Sequence, residues 1–351
     1  MNAPHRSYRG KRALVTGGLG FLGGNLALRL NQLGASVTVV DSMVPGCGSD
    51  PGNLDSARGA IRLVHADIGD THALGGILAD TDVVFNLAGE ISHLRSMTDP
   101  QRDLALNTVA QLQFLSELAA RRPGIRVVYA GTRQVYGAPR YLPVDELHPV
   151  DPVDFNGVHK YTATMYHLLM AKTGVLDSVI LRLTNIYGPR MSLTADGQGV
   201  LSFFLRRLLE GQDLEVFGTG EQVRDPLFVD DAVEAFLLAG EVESPPSRAY
   251  NAGGPEPLTL LEMAREMIRA SGGSAKLTLR PFPDALKAID IGSYLADNTR
   301  ATTELGWKPT TSFEDGMRAT FDYFRNAAAQ RPMQPAPGQP LELLPHEPRR
   351  V

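Results

Sequence analysis

Three glycines spaced three residues apart, Gly17, Gly20 and Gly23, follow a short β-type run and open an apolar-periodic stretch that reaches Leu33. In a strand–turn–helix sequence of this kind, the first glycine allows a tight turn and the second lets the backbone approach a pyrophosphate. The third lets the new helix pack on its strand. The unpaired N–H groups and the positive dipole end of that helix attract the pyrophosphate. The spacing therefore predicts a dinucleotide site.

An acidic residue stands where such a site needs one. A second β-type run, residues 36–40, ends in Asp41, a little over twenty residues after the first glycine. A carboxylate at this position accepts hydrogen bonds from the adenosine ribose and repels a 2′-phosphate. We therefore predict NAD, rather than NADP, as the cofactor.

Two further strand ends carry residues suited to the same ligand. Asp67 and Ile68 follow the run 61–64, and an aspartate there could accept the adenine amino group. The segment 86–89 (Asn-Leu-Ala-Gly) closes the next run, and its small residues allow close approach to the cofactor. Because ligands of open α/β sheets bind outside the carboxyl ends of the strands, these residues predict one crevice.

The elements that must position these residues alternate along the chain. Strands are predicted at 12–16, 36–40, 61–64, 82–87, 125–130 and 178–183, with helix patterns between them and a surface loop over 43–59. This alternation predicts an α/β fold, a Rossmann-type doubly wound parallel sheet with helices on both faces. The later part is more mixed, with helix patterns near 200–210, 230–240, 258–271 and 313–326, and predicts a smaller mixed α/β domain for the substrate.

Composition limits the function classes. The chain has 351 residues and a net charge of −5, so it carries no basic footprint for nucleic acid. Cys47 is its only cysteine, which excludes an internal disulfide and leaves no thiol cluster for a metal. No apolar run approaches membrane-spanning length and the first residues lack a secretory pattern, so we expect a cytoplasmic protein.

From about Lys11 to Phe324 the chain resembles the extended short-chain dehydrogenase/reductase family, specifically its nucleotide-sugar epimerases and dehydratases. The resemblance rests on ordered motifs: residues 16–23, Asp41, Asp67, 86–89, 131–137 (GTRQVYG), 181–190, 220–225, 295–297 and 305–309. It implies a flexible leader at 1–10, an NAD-binding Rossmann domain at 11–183 and a nucleotide-sugar-binding region at 184–326, some segments of which return to the first domain. Residues 327–351 are predicted to form a disordered proline-rich tail.

The resemblance also implies a catalytic set, with one departure. In the family, a serine or threonine after the fifth strand bonds the sugar hydroxyl being oxidised, and Thr132 matches it. A Tyr-x-x-x-Lys pair on the next helix is the usual base; the lysine holds the nicotinamide ribose and lowers the pKa of the tyrosine. Lys160 matches the lysine, but Asn156 stands at the tyrosine position. An amide cannot take a proton from a sugar hydroxyl near neutral pH.

Three interpretations of Asn156 stay open. The first moves the base to His159, three residues on and able to share the face of Asn156, or to Lys160 if desolvation depresses its pKa. The second is a reaction that needs no strong base at this position. The third is a catalytically silent protein that binds NAD and a nucleotide sugar.

The residues after Thr132 favour one reaction class. Similar 4,6-dehydratases carry Asp-Glu there and similar decarboxylases carry a glutamate, whereas this chain has Arg133 and Gln134, which exchange no proton at neutral pH. Elimination lacks its machinery, so we predict an epimerase that oxidises a nucleotide-diphosphate sugar transiently to a keto-sugar, at C4, and returns the hydride. A dehydratase, or another NAD-dependent sugar oxidoreductase with a different base, is the alternative.

The resemblance and the strand ends together predict the remaining contacts. Those to NAD are assigned to Gly17, Gly20, Phe21, Leu22, Asp41, Ser42, Asp67, Ile68, Leu87, Ala88, Gly89, Asn107, Lys160 and Leu183. Those to the substrate are assigned to Glu90, His93, Arg133, Gln134, Asn185, Val200, Val216, Phe217, Arg224, Lys287 and Asp290. Within this set Asn185 and Arg224 match the family's diphosphate contacts, and Arg133 suits a carboxylate or phosphate. Two helices, about 100–121 and 156–172, would form the family's homodimer interface.

Overall fold

The computed structural model of the protein describes residues 6–193, 199–283 and 289–330. In chain order the strands are β1 (Arg12–Thr16), β2 (Ser36–Asp41), β3 (Arg62–His65), β4 (Val83–Asn86), β5 (Arg126–Thr132), β6 (Asp177–Leu183), β7 (Ile186–Tyr187), β8 (Leu214–Phe217), β9 (Val223–Arg224), β10 (Leu227–Phe228), β11 (Ala249–Ala252), β12 (Leu258–Thr259) and β13 (Leu277–Arg280).

The α-helices of the described residues also follow in chain order. They are α1 (Phe21–Gln32), α2 (Thr71–Ala79), α3 (His93–Thr98), α4 (Pro100–Leu104), α5 (Ala110–Arg121), α6 (Phe155–Lys172), α7 (Val200–Leu209), α8 (Val229–Glu241), α9 (Leu260–Ser271), α10 (Thr299–Leu305) and α11 (Phe313–Gln330). A π-helical stretch, Ala105–Val109, joins α4 to α5, so the helix predicted over 100–121 is continuous but locally widened.

Seven strands form one parallel sheet in the order β11-β6-β5-β4-β1-β2-β3. Strand order reverses between β1 and β4, which pair from Ala13 with Val83 to Thr16 with Asn86. At that switch point the connections leave to opposite sides, so a crevice opens at the carboxyl ends of the two strands. The predicted doubly wound sheet is confirmed.

Apolar side chains cover both faces of the sheet. On one face α1 and α8 pack through residues such as Leu26 and Phe236, and on the other α2 and α5 pack through Leu74 and Phe114. All four of these side chains are fully buried. Burial on both faces explains why the strands read as continuous β-branched and aliphatic runs.

A second apolar core lies beyond β7. It joins α7, α9 and α11 to the small pairs of strands β7–β10 and β8–β13, and contains Phe204, Met263 and Phe321. The later half does not stay apart from the first, because α8 and β11 pack on the large sheet. These contacts do not divide the chain into two units, so the domain boundary expected between residues 183 and 184 stays a prediction.

Two expectations about the chain's organisation are wrong. No strand was expected at 249–252, yet β11 extends the sheet by pairing with β6. The leader was expected to be loose through residue 10, yet Tyr8 is fully buried and its hydroxyl donates to the carbonyl of Leu237 at 2.7 Å. Residues 1–5 and the predicted tail from residue 331 lie outside the described residues, and α11 runs on to Gln330, past the predicted end at 326. None of the helices in the described ranges combines the length and apolarity that crossing a bilayer requires.

Candidate active site

A cavity of about 570 Å³ occupies the crevice and runs from the loop after β2 to the start of the second core. Most of the predicted site residues line it: Gly17, Gly20, Phe21, Leu22, Asp41, Ser42, Asp67, Ile68, Leu87, Ala88, Gly89, His93, Thr132, Arg133, Gln134, Asn156, Lys160, Leu183, Asn185, Arg224 and Asp290. The cofactor half and the substrate half of the prediction therefore share one space.

The glycine turn leaves no room for side chains. Gly17 has a φ of +67°, and a Cβ there would lie 2.9 Å from the backbone nitrogen of Ala88. A Cβ on Gly23 would lie 2.2 Å from the carbonyl oxygen of Gly17. Gly20 caps α1 without any side-chain hydrogen bond, so no side chain covers the first amides of the helix. A bare, positively polarised helix start at the wall of a cavity fits a pyrophosphate.

Asp41 does more within the protein than the sequence suggests. Its carboxylate accepts hydrogen bonds from the amides of Leu19 at 3.0 Å and Met43 at 2.8 Å and from the hydroxyl of Ser49 at 2.9 Å. Since a carboxylate offers about four acceptor positions, roughly one remains for a ribose hydroxyl. Asp41 thus holds the loop after β1 and the loop after β2 at this end of the cavity, and it still lines the cavity.

Two predicted contacts lie behind the cavity wall instead of on it. Asn107 is fully buried, and its amide group donates to the backbone carbonyl of Glu90 and accepts from the backbone N–H of Glu90, both at 3.1 Å. The Glu90 carboxylate accepts from the amides of Ile91 and Ser92 and pairs with Arg95. The prediction that Asn107 and Glu90 touch the ligands is wrong, because both hold the loop that follows β4.

Three further residues assigned to the substrate do not line the cavity. Val216 is buried in the second core, and Val200 packs against the same core from α7. Phe217 is partly exposed but does not line the cavity. Val216 is thus not exposed for stacking, and the contact between Phe217 and a nucleobase stays a prediction. Lys287 lies outside the described residues.

Asn156 and His159 share a helix face, as their spacing predicts, but that face meets a buried carboxylate. The amide nitrogen of Asn156 donates to Asp103 at 2.9 Å and to the backbone carbonyl of Glu90 at 3.0 Å. The Nδ1 atom of His159 lies 2.7 Å from the other oxygen of Asp103. His159 does not line the cavity. It is therefore not placed to act as the relocated base.

Lys160 and Thr132 stand at the centre of the cavity wall. The Lys160 ammonium lies beside Gly89, where a Cβ would be 3.4 Å from it; glycine is required there because that Cβ would also come within 2.5 Å of Asn107 Oδ1, at a φ of +153°. Burial lowers the pKa of Lys160, and attraction to Asp103 and Glu90 offsets part of this effect. The Thr132 hydroxyl oxygen accepts a hydrogen bond from the backbone N–H of Gln134 at 3.1 Å. The hydroxyl proton of Thr132 therefore remains available to a ligand.

At the far end of the cavity, Arg133 presents an unmatched cationic group. One guanidinium nitrogen donates to Asn185 at 3.1 Å, and the group lies 5.0 Å from the ring centre of Tyr294. The Nη1 atom is buried without a hydrogen-bond acceptor among the described residues. Since buried donors are ordinarily satisfied, an anion is the expected partner.

Arg224 lines the same end and contributes a second guanidinium. It donates to the carbonyls of Val223 and Gly292. Burial, with repulsion from Arg133, lowers the pKa of Arg224 to about 10. Two desolvated guanidinium groups in one pocket are a site for a doubly charged anion such as a diphosphate.

The neighbouring Asp225 is fully buried, with Oδ2 accepting from the Ala296 amide at 2.9 Å and Oδ1 unmatched among the described residues. Burial raises the pKa of Asp225 to about 7, against the attraction of the two arginines. Asp290 lines the cavity and accepts from Gln222 at 2.9 Å. These carboxyl groups limit the positive charge at this end.

Sequence reasoning missed Asp154, which precedes α6. Its carboxylate caps the helix by accepting from the Gly157 amide at 2.6 Å and also accepts from Gln134 at 3.0 Å. The same carboxylate lies 2.9 Å from Nδ1 of His93. An aspartate three residues before a helical amide is a readable capping signal, but the contact with His93 joins segments 61 residues apart and leaves no local trace.

Comparison with known proteins identifies a family and relatives to which this chain is similar. The model of the NAD dependent epimerase/dehydratase family matches residues 13–253. The UDP-glucose 4-epimerase of Mycolicibacterium smegmatis is 35% identical over 322 residues, covering 90% of this chain and 99% of the relative. UDP-glucuronic acid decarboxylase 1 of Xenopus tropicalis is 31% identical, over 90% of this chain and 72% of the relative.

Solved structures agree along the whole fold. The UDP-glucose 4-epimerase of Thermotoga maritima, solved with UDP-glucose, superposes with a TM-score of 0.82 at 29% identity, covering 90% of this chain and 99% of that one. The UDP-glucuronic acid 4-epimerase of Bacillus cereus, solved with UDP-glucuronic acid and NAD, gives a TM-score of 0.78 at 26% identity, with the same coverage.

Proposed function

This chain belongs to the NAD-dependent epimerase/dehydratase family, and we propose that it is an epimerase that inverts C4 of a nucleotide-diphosphate sugar. The observation that carries the proposal is the continuity of the cavity from the glycine turn, past Thr132 and Lys160, to Arg133 and Arg224. A dinucleotide and a diphospho-sugar would meet where Thr132 and Lys160 lie.

The residues present fit NAD. The glycine turn at Gly17 and Gly20 would hold the pyrophosphate, Asp41 the adenosine ribose, and Lys160 the nicotinamide ribose. When bound, the nicotinamide supplies a two-electron oxidation of the sugar carbinol and the reverse reduction. The chain's own task is to orient the sugar, exclude water and move the hydroxyl proton.

The substrate assignment follows from charge and reach. Arg133 and Arg224 would bind the diphosphate, which places the sugar toward Thr132. The Thr132 hydroxyl would donate to the reacting oxygen, and Gln134 borders the same space. Elimination of water needs an acid and a base beside the sugar, and Arg133 and Gln134 supply neither. An epimerisation, which leaves the composition of the sugar unchanged, is the reaction these residues allow.

A homodimer completes the proposal. Apolar side chains on α5 and α6 remain exposed on the outside of the fold: Leu112, Val158, Met165 and Leu169. An unpaired apolar face of this kind is a candidate interface between two copies of the chain. The cytoplasmic location expected from the sequence stays a prediction.

The test uses the purified full chain with its endogenous cofactor. Extraction of the protein should release NAD, and incubation with UDP-, dTDP-, GDP- and CDP-sugars should convert one of them into its C4 epimer without net cofactor consumption, as seen by NMR. If one sugar nucleotide binds tightly but yields neither an isomer nor reduced nicotinamide, the chain is a silent binder and the proposal is wrong.

A further inference from the structure

The proposed oxidation needs a proton acceptor beside the sugar, and the position of the family's tyrosine holds Asn156. No tyrosine lines the cavity within the described ranges. Apart from the two arginines, the ionisable side chains that do line it are Asp41, Cys47, Asp67, His93, Lys160 and Asp290. Asp41 ends β2 and Asp67 follows β3, both at the adenosine end, and Asp290 lies at the end that would bind the nucleotide. Cys47 instead contacts the Glu90 carboxylate, and burial, with repulsion from Glu90, raises the pKa of its thiol to about 11, so it stays protonated and is not an acceptor.

Only His93 and Lys160 remain near Thr132. The Lys160 ammonium lies beside Gly89 and is the group that would bind the nicotinamide ribose. A cation engaged with a hydroxyl pair is a donor, not an acceptor. An imidazole, by contrast, changes its protonation state near neutral pH and is the commonest general base in enzymes.

The position of His93 is fixed by the loop that precedes it. The Glu90 carboxylate binds the amides of Ile91 and Ser92, and Ser92 caps α3, in which His93 is the first residue. The side chain of His93 remains 37% exposed and lines the cavity together with Thr132. These hydrogen bonds fix the backbone from which the His93 side chain reaches the cavity.

A buried carboxylate contacts the inner nitrogen of this ring. The Nδ1 atom of His93 lies 2.9 Å from Asp154, whose side chain is fully buried, although the approach is bent away from linear. Burial alone would raise the pKa of Asp154, but the close approach of the His93 ring and the hydrogen bonds from Gly157 and Gln134 outweigh it and lower the pKa. Asp154 therefore stays ionised and favours the tautomer with its proton on Nδ1.

We propose that His93 is the general base of this site and that Asp154 is its positioning residue. The inference rests on the proposed function. With the proton held on Nδ1, the lone pair of Nε2 is free to accept the proton of the sugar hydroxyl. The O–H bond breaks and its proton moves to Nε2, while bound nicotinamide would accept the C–H hydrogen with its electron pair as a hydride. When the carbonyl is reduced, Nε2 returns the same proton to the oxygen, so His93 ends each cycle unchanged.

Three variants of the full chain test this proposal: His93→Gln, Asp154→Asn and His72→Gln. The first keeps a polar side chain at the position but removes the base, and the second keeps a side chain that can cap α6 but removes the charge that selects the tautomer. His72 lies exposed on α2 and does not line the cavity, and its variant is the matched control. For each variant we would measure the NAD content, the Kd of the sugar nucleotide and the rate of nicotinamide reduction in a single turnover.

His93→Gln should lower the reduction rate about 100-fold or more, which is the usual contribution of general base catalysis, with the Kd within about threefold of wild type. Asp154→Asn should lower the rate at least about tenfold with an unchanged Kd. In ¹⁵N spectra of the labelled protein, the His93 proton should move from Nδ1 to Nε2 in Asp154→Asn. His72→Gln should behave as wild type, and adding Asn156→Tyr to His93→Gln should restore part of the rate.

The outcomes separate the two proposals. If the wild type oxidises a sugar and His93→Gln does so equally fast, His93 is not the base, and the proposed function stands. If the tautomer of His93 is the same in Asp154→Asn, Asp154 does not position it. A wild type that never reduces NAD with any sugar nucleotide overturns both proposals.

Discussion

Replacing Asp225 by asparagine should change how the stability of the protein depends on pH. The carboxyl group is fully buried and has one unmatched oxygen among the described residues, and its pKa is raised to about 7. In the unfolded chain the pKa returns to an ordinary value near 3.8. The native state therefore holds a proton between these two values that the unfolded state releases. Stability contributed by this group falls as the pH rises through that window.

The magnitude follows from the two pKa values. Between pH 5 and pH 7 the free energy of unfolding should fall by about 2 kcal/mol on account of Asp225 alone. His167 opposes this change, because it is fully buried and burial lowers its pKa to about 3. Its neutral form stabilises the native state, and that contribution grows by about 2 kcal/mol over the same range. These two contributions therefore nearly cancel, and Asp225→Asn should make stability rise with pH relative to wild type.

Urea unfolding followed by the fluorescence of Trp307 is the assay, because this is the chain's only tryptophan and it is buried. Asp225→Asn and wild type should differ by about 2 kcal/mol more at pH 7 than at pH 5, in favour of the variant. Asp322→Asn, an exposed change of the same chemistry on α11, should show a constant difference. If the difference for Asp225→Asn is also constant, the buried carboxyl ionises normally and the reasoning is refuted.

Other predictions concern the site and its supports. His159→Ala should lower the free energy of unfolding in urea by about 2–3 kcal/mol, because it removes the 2.7 Å partner of buried Asp103. The rate of single-turnover nicotinamide reduction should stay within about threefold of wild type. A large loss of rate with intact stability would return His159 to the mechanism. Gly17→Ala should weaken NAD binding at least about tenfold in calorimetry, because its Cβ meets the backbone of Ala88 at a positive φ. Gly124→Ala, also at positive φ but with nothing within 4 Å, should leave NAD binding unchanged. His167→Gln should remove the acid-sensitive contribution, so that its stability falls further behind wild type at pH 7 than at pH 5. A gap that does not change with pH would mean that the imidazole has the same pKa in the core as in the unfolded chain.

Local chemistry made the cofactor half of the site predictable. A positive φ at Gly17 and a close helix contact at Gly23 each require glycine, so the residue types themselves encode the turn. Asp41 follows directly from its place at the end of β2. All of these residues lie within positions 17–41, so the local sequence is enough to predict them.

The substrate half was less predictable because its partners come from distant segments. Spacing on α6 correctly put His159 on the face of Asn156, but the carboxylate that occupies that face comes from α4. The same difficulty affects Asn107, which was assigned to NAD but whose amide group binds the backbone of Glu90. Periodicity predicts which residues share a face, while the object that this face meets depends on the tertiary fold.

Strand β11 was missed for a different reason. Its sequence, Ala-Tyr-Asn-Ala over residues 249–252, has no β-branched residue and is only four residues long. All four residues are nevertheless buried, because β11 pairs with β6. Tertiary pairing overrides a weak local preference in so short a strand.

The several contacts of Asp154 link catalysis to helix formation in a way that constrains evolution and redesign. The carboxylate that would set the histidine tautomer also starts α6, the helix that carries Asn156 and Lys160. Most replacements would fray that helix by about 1 kcal/mol and disorient the imidazole in the same step. An uncharged capping residue such as asparagine, serine or threonine separates the two roles, so a lineage that abandoned the chemistry but kept the fold should carry one of these at this position.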